Sequence, residues 1–476
     1  MNGGLRKTSL YLLAGVGALS ILASGGSVAN ATDSVAQLEA QMRAMQEQMR
    51  DLQRQVQAAQ AASASATSST GEPLDLKVKW KGAPQLSSSD GKFSFKVRGR
   101  VMGDYEAIDQ DKKITGADDI NGVELRRARL GVEGTVFYDW KYKFEVDFAG
   151  DESEIKDAYL AYANWAPTEL SEIRFGNQYV YNSLEQLTSS RFITFMERAA
   201  FEEAFFLDRQ IGAGVLLGND HWSFQTGYFG APPGDQESFF DDTTAFSVRG
   251  TVAPINNDTT VVHLGASYRH RNAGTLRETA AADLFRYRAH AADFHLADRF
   301  VETPHIGEDD DMFVLEGAFV YKSFSIQGEY AQLEANIPVT VAPGVSPTYN
   351  GWYVDASWFI TGEMRNYEAD EGVFGRTKVK NPVFGGSHGW GAWQIAGRYD
   401  VLDLGDDAQA INASTAPHAV MCTECGTQET WLIGLNWWLT DYTALKFNVN
   451  QSEISGPGVN NGATISGFGM RAQVDW

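Results

Sequence analysis

In the segment KFSFKVRGRVM at 92–102, four of the five alternate positions from Lys92 to Arg100 are basic, and Ser94 is the exception. Lys96, Arg98 and Arg100 share a face with Lys92, because successive side chains of a strand point to opposite faces. The opposite face is apolar and consists of Phe93, Phe95, Val97, Val101 and Tyr105. Lysine attracts anions as a point charge, and the planar guanidinium of arginine binds two oxygens of a phosphate or carboxylate at once. The segment therefore predicts an anion-binding face backed by an apolar one.

The next two strand-like segments repeat this arrangement. Arg127 and Arg129 lie opposite an apolar face, and so do Lys141 and Lys143. A charged side chain in the middle of a lipid bilayer costs about 2–4 kcal/mol, so these basic faces must turn toward water. A ladder of cations along a water-filled pore favours anions. Four carboxylates lie within reach of these cations and leave a weaker ion preference open: Glu133, Glu145, Asp147 and Asp157.

Alternating segments of this kind continue to the end of the chain. With residues 92–108 and 140–148, they lie near 122–138, 154–164, 171–179, 209–218, 221–230, 244–254, 260–271, 311–322, 323–335, 350–361, 390–403, 429–440, 441–453 and 464–476. The last one ends at the aromatic Trp476. Bacterial barrels have an even number of strands, and about sixteen strands leave an aqueous channel. The fold class predicted for residues 92–476 is an all-β transmembrane antiparallel β-barrel.

The N-terminus indicates export. Residues 1–31 combine a basic pair, Arg6 and Lys7, with an apolar stretch and the tripeptide Ala29-Asn30-Ala31, which is typical of a cleaved signal peptide. No later stretch of the chain is apolar enough for a spanning helix, and a closed barrel is the other structure that satisfies its backbone in lipid. We therefore expect the protein in the outer membrane of a Gram-negative cell, in contact with its lipid.

A helical stalk is predicted between the signal peptide and the barrel. In residues 32–60 the apolar positions follow four heptads, with Val35, Leu38, Met42, Met45, Met49, Leu52, Val56 and Ala59. This spacing predicts an N-terminal α-helical coiled coil, here on the periplasmic side. Residues 61–91 are expected to be a linker, since 61–72 are small and polar. A three-stranded coil would suit a homotrimer, although the Met-rich seam does not choose the strand number.

The connections and the composition narrow the function further. The long segments 272–310, 336–349, 362–389 and 404–428 are predicted at the outer end, opposite the short turns. The net charge of −22 argues against a nucleic-acid partner. Cys422 and Cys425 favour a disulfide in an exported protein, with a metal site as the weaker alternative. The G-x-S-x-G match at 385–389 lies in a glycine-rich loop, so we predict no enzyme activity and no cofactor.

Four stretches resemble the phosphate-selective porin O/P family: ELRRARLGVEGTVFYDWKYKFEVDFAG at 124–150, IKDAYLAY at 155–162, SLEQLTSSRFITFMERAAFEEAF at 183–205 and RQIGAGVLLG at 209–218. The resemblance implies a sixteen-stranded trimeric porin whose loop after the fifth strand narrows an anion-selective pore. By position, residues 181–206 become that loop and Arg191 becomes its pore arginine. Arg126 and Arg127 match the family's basic pair, and Arg198 is expected to brace the loop against Glu197 or the wall.

The predicted function is passive passage of small anions, with inorganic phosphate or polyphosphate first. The predicted loop and the outer loops are acidic here, and charge of that sign repels approaching anions over about 8 Å at physiological salt. A general small-solute porin with weak ion preference is therefore the first alternative. The second is a barrel that tethers the envelope through its coiled coil.

Overall fold

The structure, a computed structural model, describes residues 47, 50, 54, 76–150, 153–233, 243–274, 284–386 and 388–476. The predicted signal peptide lies outside the described residues. Of the predicted coiled coil, only Glu47, Arg50 and Arg54 are described, each in helical conformation. Among the described residues, no helix has the length and apolarity that crossing a membrane requires.

Sixteen antiparallel strands form a closed barrel. They are β1 Ser94–Asp109, β2 Ile120–Val136, β3 Trp140–Asp147, β4 Glu154–Ala163, β5 Leu170–Tyr179, β6 Arg209–Asn219, β7 Trp222–Phe229, β8 Thr244–Asn256, β9 Thr260–Asn272, β10 Asp309–Tyr321, β11 Phe324–Asn336, β12 Thr348–Phe359, β13 Ala392–Asp403, β14 Thr427–Thr440, β15 Thr443–Ser455 and β16 Thr464–Asp475. Each strand pairs with the next, and β16 pairs with β1 from Ser466↔Asp109 to Asp475↔Arg100. The predicted fold class and strand count are confirmed for the barrel.

The strands are polar inside and apolar outside. In β11, for example, Ile326 and Tyr330 are exposed on the outer surface, whereas Gln327 and Glu329 are buried within the barrel. This arrangement inverts that of a soluble protein, because lipid covers the outer face and polar groups face the interior.

The C-terminal residue completes the closure. The Trp476 amide donates to the Gly99 carbonyl at 3.1 Å, and the Gly99 amide donates to the Trp476 carbonyl at 3.3 Å. A side chain at Gly99 would collide with the Trp476 ring, since an added Cβ would lie 2.3 Å from its Cζ2 atom. Glycine is thus required where the terminal aromatic ring lies against β1.

A hairpin precedes the barrel. Its strands, Leu76–Lys81 and Ala83–Ser88, pair with each other, and the second pairs with the start of β1 through Gln85↔Lys96. Gly82 makes the turn at a φ of 74°, a conformation that glycine adopts without strain. The last part of the predicted linker therefore forms strands. Its alternation of lysine and apolar residues suits a strand at the edge of a sheet with one face exposed.

The two ends of the barrel differ in their connections. We define the turn end as the end that holds the 137–139 turn and Trp476, and the loop end as the opposite one. The connection between β12 and β13, residues 360–391, follows an even-numbered strand and therefore lies at the turn end. The prediction that 362–389 is an outer loop is wrong, because strand parity and not length decides the end. We call residues 360–391 the insert.

Short elements in the connections, apart from the exposed helix Lys112–Thr115, fill much of the interior of the described part of the barrel. The helices are Lys112–Thr115, Leu184–Leu187, Ala200–Phe205, Ala291–Asp293 (a 3₁₀ turn) and Ala408–Asn412, and two small strand pairs join Arg288–Ala289 with Val301–Glu302 and Tyr367–Glu368 with Val373–Phe374. The largest apolar cluster lies inside the loop end, where Phe201, Phe205, Tyr287 and Phe294 pack together. The channel is therefore confined to the space that these segments leave open.

Candidate functional site

The connection between β5 and β6, residues 180–208, folds into the barrel. We call it the inward loop. Phe195, Ala199 and Phe201 in this loop are fully buried, and the Ser183 hydroxyl accepts the Gln186 amide at the start of its first helix. Buried aromatic residues in a polar segment anchor it against the wall, so the loop narrows the interior at a fixed place.

Side chains from β14 and β15 hold the backbone of the inward loop. The buried Lys446 ammonium donates to the carbonyls of Ile193 at 2.6 Å and Phe195 at 3.2 Å. The Asn436 side chain donates to the Thr194 carbonyl at 2.8 Å. These donors satisfy carbonyls that have no strand partner, so part of the interior cation content is structural.

Arg198 also has a structural position. Its guanidinium donates to the carbonyls of Glu185, Gln186 and Thr188 at 3.0, 3.2 and 2.9 Å, all within the inward loop. Its carboxylate partner is Glu202 at 3.6 Å. The structure thus places Arg198 as a brace of the loop, but not against Glu197.

Three predicted arginines meet at one carboxylate on the β1–β3 wall. The buried Glu145 carboxylate lies 3.2 Å from Arg98, 3.2 Å from Arg100 and 3.5 Å from Arg129. Arg100 also donates to the Ser190 hydroxyl of the inward loop at 2.8 Å. With Lys96, these arginines form a group of four cations whose carboxylate partners are Glu133, Glu145 and Asp147. We call this group the wall cluster.

A second group lies nearer the loop end and depends on a β-bulge. In the β1–β2 pairing Met102 faces Arg127 and Gly103 faces Leu125, so Arg126 is the extra residue. A bulge of this kind turns two successive side chains toward one face. Arg126 therefore points inward with Arg127, although strict alternation predicts that only Arg127 does.

Both arginines contact Glu197 of the inward loop. Arg126 binds its carboxylate through two hydrogen bonds of 2.8 and 3.0 Å, Arg127 lies at 3.7 Å and Arg471 at 2.5 Å. Burial raises the pKa of Glu197, but the three guanidiniums outweigh this effect and hold the pKa well below its usual range. Glu197 therefore stays ionised. Asp104 also pairs with Arg471, so three cations share the two carboxylates. We call this group the loop cluster.

The remaining predicted cations occupy different places. Arg191 lies 3.4 Å from Asp475, and burial, followed by the nearby Arg98, lowers its pKa to about 10, so it stays charged at neutral pH. Lys143 pairs with Asp157 at 2.8 Å, and Lys141 pairs with Glu172 at 2.8 Å near the turn end. Lys92 lies before β1, over the rings of Phe93 and Phe137 at 5.4 and 5.6 Å. Lys92 therefore does not lie among the pore-lining cations, where the sequence predicted it.

Two internal cavities adjoin these groups. The upper cavity, about 310 Å³, is lined by Arg126, Arg127, Arg129, Lys156, Glu197, Arg209, His290 and Arg299 among others. The lower cavity, about 340 Å³, is lined by Arg98, Arg100, Lys143, Arg174, Arg191, Arg209, Glu368 and Glu371 among others. Tyr179 and Arg209 line both, so the cavities meet at these two side chains. The cations of β1–β6 thus border open space.

Sequence reasoning assigned no pore position to four of these cations, one of which is Arg299 in the connection between β9 and β10. Arg174 lies between the outward Ile173 and Phe175 of β5, so the two-residue period was sufficient to place it inside. Arg209 pairs with Asp157 at 3.0 Å and stacks on the Tyr179 ring at 3.9 Å. Lys156 points inward because a bulge in the β3–β4 pairing makes it the extra residue, and alternation alone gives no signal for this.

The cations of the later strands hold inner segments. Arg398 pairs with Asp355 at 2.6 Å, and Arg249 pairs with Glu316 at 2.7 Å. Both arginines are buried, and Arg249 also donates to the insert at Gly372. Cys422 and Cys425 are joined by a disulfide, as the sequence favoured. Ser387 of the G-x-S-x-G match lies outside the described residues.

Comparison with known proteins identifies the family. The family model "Phosphate-selective porin O and P" matches residues 95–476. The chain belongs to this porin family. Porin O of Pseudomonas aeruginosa is 28% identical over 408 residues, covering 80% of this chain and 88% of that protein. An uncharacterized protein of Caulobacter vibrioides is 30% identical over 387 residues, covering 79% and 71%. The solved anion-selective porin from Comamonas acidovorans covers 81% of this porin and 100% of its own chain, with 15% identity and a TM-score of 0.47.

Membership of the porin family and the closed barrel make the protein an outer-membrane channel. The function of such a channel depends on which solutes enter its interior, and it does not require its side chains to make or break bonds. The side chains that border the cavities are the ones that face the space inside the barrel.

Proposed function

We propose that the porin is a passive channel for small anions, with inorganic phosphate or polyphosphate preferred. The observation that carries the proposal is the sharing of carboxylates. In the wall cluster four cations share Glu133, Glu145 and Asp147, and in the loop cluster three cations share Glu197 and Asp104. Counted by direct ion pairs, each group has one more cation than it has carboxylate partners, and each borders open space.

Partial pairing suits transport better than bare arginines would. An anion that enters the wall cluster competes with Glu145 for Arg98, Arg100 and Arg129, so its binding is moderated. Conduction requires several sites that bind well enough to admit an ion and weakly enough to release it. The two clusters in series provide such sites, and their guanidiniums match phosphate oxygens in pairs.

Bilayer recording tests the proposal. We expect the reversal potential in a KCl gradient to show anion preference, and added phosphate to block the chloride current. Arg127→Ala removes one donor from the upper cavity, and Arg191→Ala removes one donor from the lower cavity. Hydrogen bonds to charged groups contribute about 1.5–3 kcal/mol, so each variant is expected to weaken block about tenfold or more. Lys113→Ala, at the exposed loop end, is the matched control.

The extent of ion pairing favours a second candidate, a general small-solute porin. Lys96, Arg98, Arg126, Lys143 and Arg209 all have carboxylate partners within 3.4 Å, and full compensation would leave little net field. In that case the reversal potential lies near zero and phosphate block is the same in the wild type and both variants. Cation preference would exclude the anion channel.

A further inference from the structure

The insert at the turn end brings two carboxylates into the basic lower cavity. Glu368 and Glu371 line this cavity together with Arg98, Arg174 and Arg191. Both glutamates are exposed to the cavity. Arg174 pairs with Glu172 at 2.6 Å and Arg191 with Asp475 at 3.4 Å, whereas neither Glu368 nor Glu371 forms an ion pair with a residue that the structure describes. Their charge is therefore directed at whatever occupies the cavity.

The insert is fixed without help from these carboxylates. Arg249 donates to the main-chain carbonyls of Glu371 at 3.2 Å and Gly372 at 2.7 Å, and Gln225 donates to the Glu371 carbonyl at 2.9 Å. The Phe374 amide donates to the Thr188 hydroxyl of the inward loop at 3.2 Å. The backbone of the insert is thus tied to both the wall and the inward loop, which leaves the two side chains free for another role.

A further contact keeps the insert in place farther along the chain. The Arg376 guanidinium donates to the Asp475 carboxylate of β16 at 3.0 Å, and its charged group lies over the Tyr442 ring at 4.3 Å. The insert is therefore held at Glu371 and at three positions beyond it, up to Arg376. Two carboxylates that form no ion pair, held at a fixed position across a cavity from cations, form a counter-field, and such a field lowers the occupancy of anions near the exit.

We propose that Glu368 and Glu371 are specificity-determining residues that limit anion preference and speed anion release at the turn end. This inference rests on the proposed anion channel. The basic clusters draw anions in from the loop end, and the two glutamates oppose tight binding below them. An anion that has passed Arg100 and Arg191 meets repulsion from the insert, which shortens its stay.

The test uses the full-length porin in planar bilayers with KCl gradients and phosphate block. A unit charge about 8 Å from an ion changes its occupancy about two- to fivefold in a water-filled pore. Glu368→Gln with Glu371→Gln is expected to raise the chloride-to-potassium permeability ratio at least about twofold and to slow the release of blocking phosphate. Glu371→Lys, a reversal of charge, is expected to extend both changes in the same direction.

Two control variants separate this effect from a general change of charge. Asp258→Asn and Glu169→Gln remove a negative charge from exposed positions in the turns 257–259 and 164–169, outside both cavities. They are expected to leave the permeability ratio unchanged. If the double variant leaves the ratio unchanged, or if the controls shift it equally, the assignment of the glutamates is overturned.

Failure of this inference can be told from failure of the proposed function. The shift is measured against the wild type, so it is readable whichever ion the wild type prefers. A cation-preferring wild type refutes the anion channel, whereas an anion-preferring wild type with unshifted variants refutes only the role of Glu368 and Glu371.

Discussion

Replacing Gly99 with alanine tests how the last residue closes the barrel. The added Cβ would lie 2.3 Å and 2.6 Å from Cζ2 and Cε2 of the Trp476 ring and 2.9 Å from the Arg129 carbonyl oxygen. Carbon atoms in contact are about 3.5–4.0 Å apart, so the ring must move. Moving it strains the two main-chain hydrogen bonds between Gly99 and Trp476.

The expected cost follows from these contacts. Overpacking of this kind costs about 1–3 kcal/mol, and each strained hydrogen bond adds about 0.5–1.5 kcal/mol. With two such hydrogen bonds, we expect Gly99→Ala to lower the free energy of unfolding by about 2–6 kcal/mol. Gly103→Ala is the matched control on the same strand, because its nearest neighbour, the Glu124 carbonyl oxygen, is 4.0 Å away, and it is expected to cost under about 1 kcal/mol.

A double-mutant cycle isolates the ring. Urea unfolding of the refolded porin in lipid vesicles gives the free energies of the wild type, Gly99→Ala, Trp476→Ala and the double variant. Without the ring, only the Arg129 contact opposes the new methyl group, so we expect a coupling of about 1–3 kcal/mol. If Gly99→Ala costs the same with and without the ring, or no more than Gly103→Ala, the proposed closure is refuted.

Three further predictions concern the interior and the disulfide. Burial, followed by the neighbouring Glu185 and Glu329 carboxylates, raises the pKa of Glu202 well above its ordinary value. The folded protein then keeps a proton that the unfolded chain releases above about pH 4.3, so the free energy of unfolding falls as the pH rises from there, and Glu202→Gln should flatten that fall in denaturant titrations. Lys446→Met deprives the carbonyls of Ile193 and Phe195 of their donor, at about 1–3 kcal/mol each, and single-channel recording should show a larger and noisier conductance; unchanged conductance would mean that packing alone holds the inward loop. Reduction of the Cys422–Cys425 disulfide, which closes a short loop with a sequence separation of 3, should lower the free energy of unfolding by at most about 2 kcal/mol and leave the conductance unchanged.

The barrel was predictable because lipid imposes a strict rule on each strand. Alternation around Arg98 and Arg100 was enough to place them inside, and the same period recurs in the other strands except at their bulges. The position of the insert could also have been derived. Residues 360–391 follow the twelfth strand, and every connection after an even-numbered strand must lie at the same end as the 137–139 turn.

The ion pairs were not predictable by the same means. Alternation tells which face a side chain lies on but not how far along the barrel its partner is, so the meeting of Arg126, Arg127 and Arg471 at Glu197 required the fold. Bulges add a second obstacle. A single extra residue at Arg126 or Lys156 shifts the alternation for every residue beyond it, and no property of the residue itself reveals it.

Because of the bulge, the charge at Arg126 is independent of the strand pairing that builds the wall of the barrel. Arg126 has no pairing partner on β1, so the residues before and after it have their own partners there without it. Losing that one codon would straighten the strand and take away a guanidinium, while Leu125 and Arg127 remain opposite Gly103 and Met102. A deletion at Arg126 therefore changes the charge beside the upper cavity without breaking the strand pairing, whereas a deletion in a regular strand would shift the pairing of every residue beyond it.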